Sequence, residues 1–373
     1  MKAIVTGGGS GGHIYPAIAI ADKIMEKEPD SQIVYMGNKI GMEVDLVPGS
    51  GYPLKLIHGR WMDRKGNKIA LAFQFLWTGM VVGAGTLQAL RYMRKFKPDV
   101  VVGTGGYACV PVVMAAKLYG CPRYIHEQNA FPGVANRTLE SRVTKVFLGF
   151  AEAAKRFRHP EKQVYVGNPV RKRFYALDRQ AAREKLGIPQ EDFVVFSFGG
   201  SQGAETINQV AWAYMKTIQN HPGKTLIFAT GDQYIDEIQK RLDDEGIAPG
   251  KGIHIVPYIT DMENALAAAD LVIARAGALS LAEITVAGRP SILIPFPAAK
   301  DNHQYYNALS VVEQGGAYLV EEKDLDLAET VAKIQELGED REKREEMSKA
   351  ARACGPFDAT ERIYEEIQKG QKS

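Results

Sequence analysis

Short apolar runs alternate with longer stretches of helical periodicity along the first half of the chain. The runs rich in β-branched and aromatic residues lie at 2–5, 33–35, 100–102, 123–125 and 143–148. This alternation predicts βαβ units and a parallel sheet. A Gly-Asn-Pro breaker at 167–169 and a polar stretch to Pro189 then precede another apolar run at 193–198. The pattern therefore predicts an α/β protein with a seam near residue 167.

Glycine-rich turns follow three of these runs. TGGGSGGH (6–13) and GGSQGA (199–204) share a Gly-Gly-Ser-x-Gly core, 191 residues apart, and GTGGY (103–107) is a third turn. One such turn is common in any parallel sheet, but two matching turns favour two Rossmann-like domains facing across a cleft. We expect the domains to span 1–167 and 168–354, with a C-terminal helix at about 355–373 packing back on the first.

The first glycine turn also fits the dinucleotide fingerprint G-x-G-x-x-G, between a strand and a helix. That fingerprint needs an acidic residue at the end of the second strand to bind the ribose. Here the strand runs into Gly37-Asn38-Lys39, and the first acid is Glu43. An NAD site is therefore a minor alternative, and we expect backbone N–H groups and a helix N-terminus to bind another phosphate.

The net charge of +2 conceals an asymmetry between the two halves. Residues 1–150 carry 18 Lys and Arg against 10 Asp and Glu, which gives +8, so the remainder carries 28 against 34, or −6. Nine basic residues lie between Lys55 and Lys97, with Asp63 as the acid among them. Such a block predicts an anionic partner: a nucleic acid, a phosphorylated substrate or a membrane surface.

Residues 69–90 hold no charged side chain. The length reaches that of a membrane span, but the polar residues and three glycines make it a poor one. A single crossing would also separate strands of one sheet, so we reject a span. Two interpretations stay open: a buried helix plus loop, or an interfacial element on anionic lipid, with aromatic and basic side chains at the surface. The residues predicted for membrane association are Arg60, Trp61, Arg64, Lys65, Lys68, Phe75 and Trp77.

Seven motifs in order along the chain resemble the bacterial peptidoglycan glycosyltransferases of the MurG family. They are TGGGSGGH, GTGGY, HEQNAFPGVANR (126–137), GNPVR (167–171), GGSQGA, RAGALSLAEITVAGRPSILIPFP (275–297) and KDNHQYYNA (300–308). The resemblance implies a glycosyltransferase-B fold. It also implies inverting transfer of N-acetylglucosamine from UDP-N-acetylglucosamine to undecaprenyl-diphospho-N-acetylmuramoyl-pentapeptide, which converts lipid I to lipid II. A UDP-sugar epimerase or another UDP-sugar enzyme on the same fold is the alternative.

The resemblance also implies the residues that bind substrate. It assigns the donor phosphates to Ser201 and the 278–283 stretch, places Arg171 at the donor, and assigns the uridine ribose to Glu283. Gln304 and Asn129 are expected at the donor sugar, and the backbone of Ile259 at the uracil. Where the family more often has Ser or Thr, this chain has Ala276, for which no side-chain contact is expected, and Ser280. The predicted substrate-binding set is Ser10, Gly11, Gly12, Asn129, Arg171, Ser201, Ile259, Ala278, Leu279, Ser280, Glu283 and Gln304.

A sugar hydroxyl that attacks an anomeric carbon needs a base. His13 is our first candidate because a helix N-terminus favours neutral imidazole, the form that accepts a proton. Glu127 is the second candidate and His126 a further competitor, while His13 could instead only order the loop. We expect no required cofactor and no metal, because no His, Cys and Glu cluster has ligand spacing. The D-x-D at 324–326 is better explained as helix capping.

The implied partners follow from this chemistry. They are the polyprenyl-diphosphate-linked acceptor and anionic lipid on the cytoplasmic face of the cell membrane, where we expect a peripheral protein. Cell-wall or division proteins are further candidates. No nucleic-acid recognition module is visible in the sequence.

Overall fold

The structure is a computed structural model. It describes residues 1–59, 68–200, 202–219, 221–250, 252–355 and 358–372, and of 68–73, 75 and 372 the backbone alone. The described chain divides into two compact units, Met1–Val170 with Pro356–Ser373, and Arg171–Gly355. Each unit holds one parallel sheet between helices, which confirms the prediction of two Rossmann-like domains.

The first unit contains a seven-stranded sheet in the order β3-β2-β1-β4-β5-β6-β7. Its strands are β1 (Lys2–Thr6), β2 (Gln32–Asn38), β3 (Leu54–Ile57), β4 (Val100–Gly103), β5 (Arg123–Glu127), β6 (Lys145–Leu148) and β7 (Gln163–Tyr165). Its helices are α1 (Gly11–Lys27), α2 (Glu43–Gly49), α3 (Lys68–Phe96), α4 (Cys109–Tyr119), α5 (Val134–Leu139) and, at the chain end, α14 (Ala359–Lys372). The strand order reverses at β1 and β4, and ligands of such sheets bind beyond the carboxyl ends of these strands.

The second unit repeats this plan with six strands in the order β10-β9-β8-β11-β12-β13. Its strands are β8 (Phe193–Phe198), β9 (Lys224–Ala229), β10 (Ile253–Val256), β11 (Leu271–Ala274), β12 (Ser291–Leu293) and β13 (Ala317–Leu319). Its helices are α6 (Arg179–Leu186), α7 (Glu205–Ile218), α8 (Ile235–Asp244), α9 (Met262–Ala268), α10 (Ala278–Val286), α11 (His303–Val312), α12 (Leu327–Glu339) and α13 (Arg341–Ala353). Every residue of β8 and β11 is buried, because helices cover both faces of the sheet.

The last helix completes the core of the first unit. Ile363 and Ile367 of α14 are fully buried among α1 and the sheet. Glu361 accepts salt bridges from Lys23 at 3.3 Å and Lys27 at 2.6 Å, both on α1. A Cβ on Gly370 would lie 2.0 Å from the Tyr124 hydroxyl, so glycine at this position lets α14 pack closely against a side chain of β5. Helix α14 is thus an integral part of the first unit.

The uncharged run 69–90 lies within one continuous helix, α3. The interpretation as a buried helix plus a loop is therefore wrong about the loop. The C-terminal half of α3 is the buried part: Ala89 and Met93 are fully buried against α4 and the sheet. Gly85 packs against the His58 carbonyl, which would lie 2.0 Å from a Cβ at that position. None of the described helices is both long and apolar enough to cross a membrane.

Candidate active site

The loops after β1, β4 and β5 carry the predicted residues of the first unit. In the loop after β1, Gly9 has a φ of +95°, which favours glycine. A Cβ on Gly7 would lie 2.2 Å from the Thr104 hydroxyl, so the loops after β1 and β4 are in close contact. Adjacent parallel strands thereby bring two glycine-rich turns together at the point where the strand order reverses.

An internal carboxylate occupies part of the first glycine loop. Glu43 is fully buried, and its two oxygens accept the N–H groups of Gly9 at 3.2 Å and Asn38 at 3.1 Å. A buried carboxylate needs such donors because it has lost its water. The Gly9 N–H is therefore bonded within the protein, and the predicted phosphate donors Ser10, Gly11 and Gly12 lie just beyond it.

Helix α1 begins just beyond that contact. Ser10 is its N-cap residue, Gly11 and Gly12 are its first two residues, and His13 is the third. The Ser10 side chain makes no capping hydrogen bond. The first N–H groups of a helix have no intrahelical acceptor, so Gly11 and Gly12 present donors at its positive end.

The His13 side chain is tied to the neighbouring loops. Its Nδ1 lies 2.9 Å from the Thr104 carbonyl oxygen and 3.1 Å from Oε1 of Gln128. Because a carbonyl only accepts, Nδ1 carries the proton and donates it. In the neutral ring the other nitrogen, Nε2, then has the lone pair that a base needs.

The two competing bases are engaged in structural contacts. Both oxygens of buried Glu127 accept hydrogen bonds from the loop that follows β5 and from the start of α5. The donors are the Asn129 N–H (3.0 Å) and side-chain amide (3.3 Å), the Gly133 N–H (2.9 Å) and the Asn136 amide (2.9 Å). His126 is fully buried, and burial lowers its pKa to about 4. Its Nε2 donates to the Gly167 carbonyl at 2.9 Å, and its Nδ1 accepts from the Gln128 amide at 3.0 Å.

In the second unit the structure brings together Arg171 and Glu283. Helix α10 begins at Ala278, as predicted, with Gly277 as its N-cap. One and a half turns later, Glu283 Oε1 lies 3.6 Å from Nη2 of Arg171, whose guanidinium packs over Phe174. The Glu283 side chain is 18% exposed, and burial raises its pKa to about 7 although Arg171 opposes the shift.

The remaining predicted donor residues lie in or near loops of the second unit. Leu279 and Ser280 are half-buried in the first turn of α10, and Ile259 is half-buried in the loop after β10. Gln304, on α11, accepts the N–H of Phe296 at 2.9 Å through its side-chain oxygen. Ser201 lies outside the described residues, and the helix that follows it, α7, begins at Glu205.

The residues predicted for membrane association are only partly described. Arg60, Trp61, Arg64 and Lys65 lie outside the described residues, and Lys68 and Phe75 have a described backbone only. Trp77 is 45% exposed. Leu76, Met80 and Leu87 are also exposed, at helical spacings that place them and Trp77 toward one side of α3.

Within the described ranges, no three His, Cys, Asp or Glu side chains gather as metal ligands. The D-x-D instead caps a helix, because Asp326 accepts the N–H groups of Ala328 and Glu329 at 2.8 and 3.0 Å. Gln128, Glu43 and the Thr104 carbonyl were missed from the sequence. The only sequence signal for Gln128 is its place inside the HEQN motif.

Comparison with known proteins supplies two family matches. Residues 3–148 match the glycosyltransferase family 28 N-terminal domain, and residues 194–363 match the glycosyltransferase family 28 C-terminal domain. The chain is 42% identical to a protein of Acetivibrio thermocellus, covering 99% of this chain and 98% of the relative. It is 41% identical to one of Clostridioides difficile, covering 99% and 89%. Both are named "UDP-N-acetylglucosamine--N-acetylmuramyl-(pentapeptide) pyrophosphoryl-undecaprenol N-acetylglucosamine transferase".

Solved structures agree with the family matches in fold. The fold is similar to the crystal structure of Acinetobacter baumannii MurG, with a TM-score of 0.75 and 28% identity over 99% of each chain. A structure from Listeria monocytogenes that is named as a UDP-N-acetylglucosamine 2-epimerase has a TM-score of 0.67. It is 15% identical, covering 98% of this chain and 95% of that one. At that identity the epimerase shares the fold alone.

Proposed function

The chain belongs to glycosyltransferase family 28, and we propose that it transfers N-acetylglucosamine from UDP-N-acetylglucosamine to undecaprenyl-diphospho-N-acetylmuramoyl-pentapeptide. It is a hexosyltransferase. The observation that carries the reaction is 41–42% identity, over 99% of this chain, to relatives named for it. The epimerase alternative has only a shared fold behind it.

The second unit binds the donor in this proposal. An ionised Glu283 accepts hydrogen bonds from the ribose hydroxyls, and Arg171, 3.6 Å away, offers a cation to the diphosphate. The N-terminus of α10, at Ala278, Leu279 and Ser280, adds backbone donors for the charge that develops on the leaving diphosphate. Ile259 meets the uracil through its backbone.

Two amide side chains complete the donor contacts that we propose. The Gln304 oxygen is bonded to Phe296, so its amide nitrogen is the group that meets a sugar hydroxyl. Asn129 of the first unit is the second amide, and it donates to Glu127 Oε1 at 3.3 Å. Ser201 belongs to this set through the family resemblance alone.

The first unit binds the acceptor and supplies the base. The acceptor hydroxyl oxygen forms a bond to the anomeric carbon while the bond from that carbon to the diphosphate breaks. UDP leaves with the electron pair, and the hydroxyl proton goes to Nε2 of His13. The contacts favour His13 over Glu127, whose oxygens already accept four hydrogen bonds from the segment that follows β5. Ser10, Gly11 and Gly12 offer donors to the acceptor diphosphate at the start of α1.

The first unit also associates with the membrane in this proposal, as a peripheral contact on the cytoplasmic face. The acceptor has a polyprenyl chain, so its sugar is reached only at a membrane surface. Exposed Leu76, Trp77 and Met80 on α3 give an apolar side, and the +8 charge of residues 1–150 attracts anionic lipid.

Transfer of labelled sugar to a short-chain lipid I analogue tests the proposal. We expect labelled disaccharide product and one UDP per transfer, with no conversion of UDP-N-acetylglucosamine when the acceptor is left out. Conversion of the donor alone to its 2-epimer would overturn the proposal in favour of an epimerase. The absence of product with a folded, UDP-binding protein would also overturn it.

A further inference from the structure

A hydrogen-bond network joins His13 and His126 in the first unit. Gln128 lies between them: its Oε1 is 3.1 Å from Nδ1 of His13, and its Nε2 is 3.0 Å from Nδ1 of His126. The same Nε2 also donates to the His126 carbonyl at 3.2 Å. Gln128 is itself 2% exposed, so water does not compete freely for these bonds.

Backbone carbonyls at both ends fix the direction of every bond. At one end Nδ1 of His13 faces the Thr104 carbonyl at 2.9 Å, and at the other Nε2 of His126 faces the Gly167 carbonyl at 2.9 Å. Both nitrogens must donate, because a carbonyl only accepts. The Gln128 oxygen is therefore directed at His13 and its amide nitrogen at His126.

We propose that Gln128 is a positioning residue, which holds the His13 ring in the Nδ1–H tautomer so that Nε2 accepts the acceptor proton. The proposal rests on His13 being the base of the proposed function. When Nε2 takes the proton, the Nδ1–H group stays bonded to the Gln128 oxygen and the Thr104 carbonyl. Both then stabilise the imidazolium, as the orienting group of a catalytic triad does, here with neutral oxygens.

The donor and acceptor directions in this hydrogen-bond network also depend on the neutral state of His126. A protonated His126 would present a donor at Nδ1, and Gln128 would have to turn its oxygen toward it. The amide nitrogen would then face His13, which already donates there. Burial of His126, which lowers its pKa to about 4, prevents this reversal at neutral pH.

Other titratable groups near this hydrogen-bond network are bonded to partners of their own. Glu127 is bonded to the loop that contains Asn129 and Gly133. Glu43 holds the Gly9 N–H, and Tyr107 donates to the Ile40 carbonyl. Burial raises the pKa of Tyr107, so it stays neutral across the pH range of the test below.

Nitrogen-15 NMR of the full-length protein reads the tautomer without any activity. The signals of His13 are identified from their loss in His13→Gln. We expect His13 in the Nδ1–H form and His126 in the opposite, Nε2–H form. Finding His13 in the Nε2–H form would overturn the inference. A protein with no transferase activity would leave this spectrum unaffected, so failure of the proposed function is distinguishable.

Two substitutions at Gln128 test its effect on the reaction. Gln128→Met removes one hydrogen bond from the developing imidazolium, so kcat should fall roughly 10–100-fold. The ascending limb of the pH–activity profile should move to lower pH. Gln128→Glu keeps an acceptor toward His13 and adds negative charge, so the limb should move to higher pH.

A residue with a merely structural role would not produce opposite shifts. The matched control is Gln88→Met. Gln88 also bonds a backbone group, the His58 N–H at 3.0 Å, but it is not part of the hydrogen-bond network of His13, Gln128 and His126. Its pH profile should stay in place. Shifts in the same direction for both Gln128 variants, or unchanged profiles in folded protein, would overturn the proposal.

Discussion

Ionisation of Glu283 should control the affinity for uridine nucleotides. The carboxyl group is 18% exposed, burial raises its pKa to about 7, and Arg171 lies 3.6 Å away. In the proposed donor site, only the ionised form would accept hydrogen bonds from both ribose hydroxyls. About a tenth of the protein is ionised there at pH 6 and about nine tenths at pH 8, so UDP affinity should rise about tenfold between them.

Calorimetric titration with UDP and 2′-deoxy-UDP isolates this contribution. Both ligands have the same diphosphate, so its own titration cancels in the ratio of their affinities. One lost hydrogen bond to a charged group is worth about 1.5–3 kcal/mol, so UDP should be preferred roughly 10–150-fold at pH 8. The preference should shrink about tenfold at pH 6.

The control is Glu283→Gln, which has similar size and no titration. For this variant the ratio of UDP affinity to 2′-deoxy-UDP affinity should be small and independent of pH. The reasoning is refuted if the wild-type ratio stays constant from pH 6 to 8. It is equally refuted if Glu283→Gln retains the wild-type pH dependence.

Three further predictions concern the base, the membrane contact and stability. His13→Ala should lower kcat about 10²–10⁴-fold with UDP affinity unchanged by calorimetry, whereas near-normal kcat would move the role to Glu127 or solvent. The triple change of Leu76, Trp77 and Met80 to Ser should reduce co-sedimentation with anionic vesicles and leave UDP binding intact; unchanged sedimentation would exclude this side of α3. In urea unfolding, the raised pKa of Glu283 contributes stability that is complete below pH 4.5 and lost as pH rises through 7. Glu283→Gln should therefore be the more stable by up to about 3 kcal/mol at pH 8, and equal stability at that pH would contradict the buried charge.

The sequence predicted the features that depend on local pattern. Strand–turn–helix order located the glycine loops, and Ala278 was identified as the start of α10 because an apolar helical pattern follows Gly277. Asp326 was recognisable as a cap from its place before such a pattern.

Features that depend on distant parts of the chain were not predictable in this way. Glu43 had appeared only as an acid too late for a ribose, and its inward turn onto Gly9 follows from the packing of α2. The orientation of Gln128 depends on the carbonyls of Thr104 and Gly167, which the fold brings from 24 and 39 residues away. The 69–90 run has no strong helical periodicity, so its division into buried and exposed parts could not be read from the sequence.

The return of α14 to the first unit has a consequence for biosynthesis. The first unit is interrupted after Val170 and completed only by a segment that begins at Pro356. At ordinary rates of translation the ribosome takes roughly 10–40 s to make the intervening residues. During that time the apolar site for Ile363 and Ile367 on α1 stays open. The nascent first unit therefore exposes apolar surface of the kind that chaperones bind. Loss of the last fifteen residues would destabilise the amino-terminal unit rather than the unit that precedes them in the sequence.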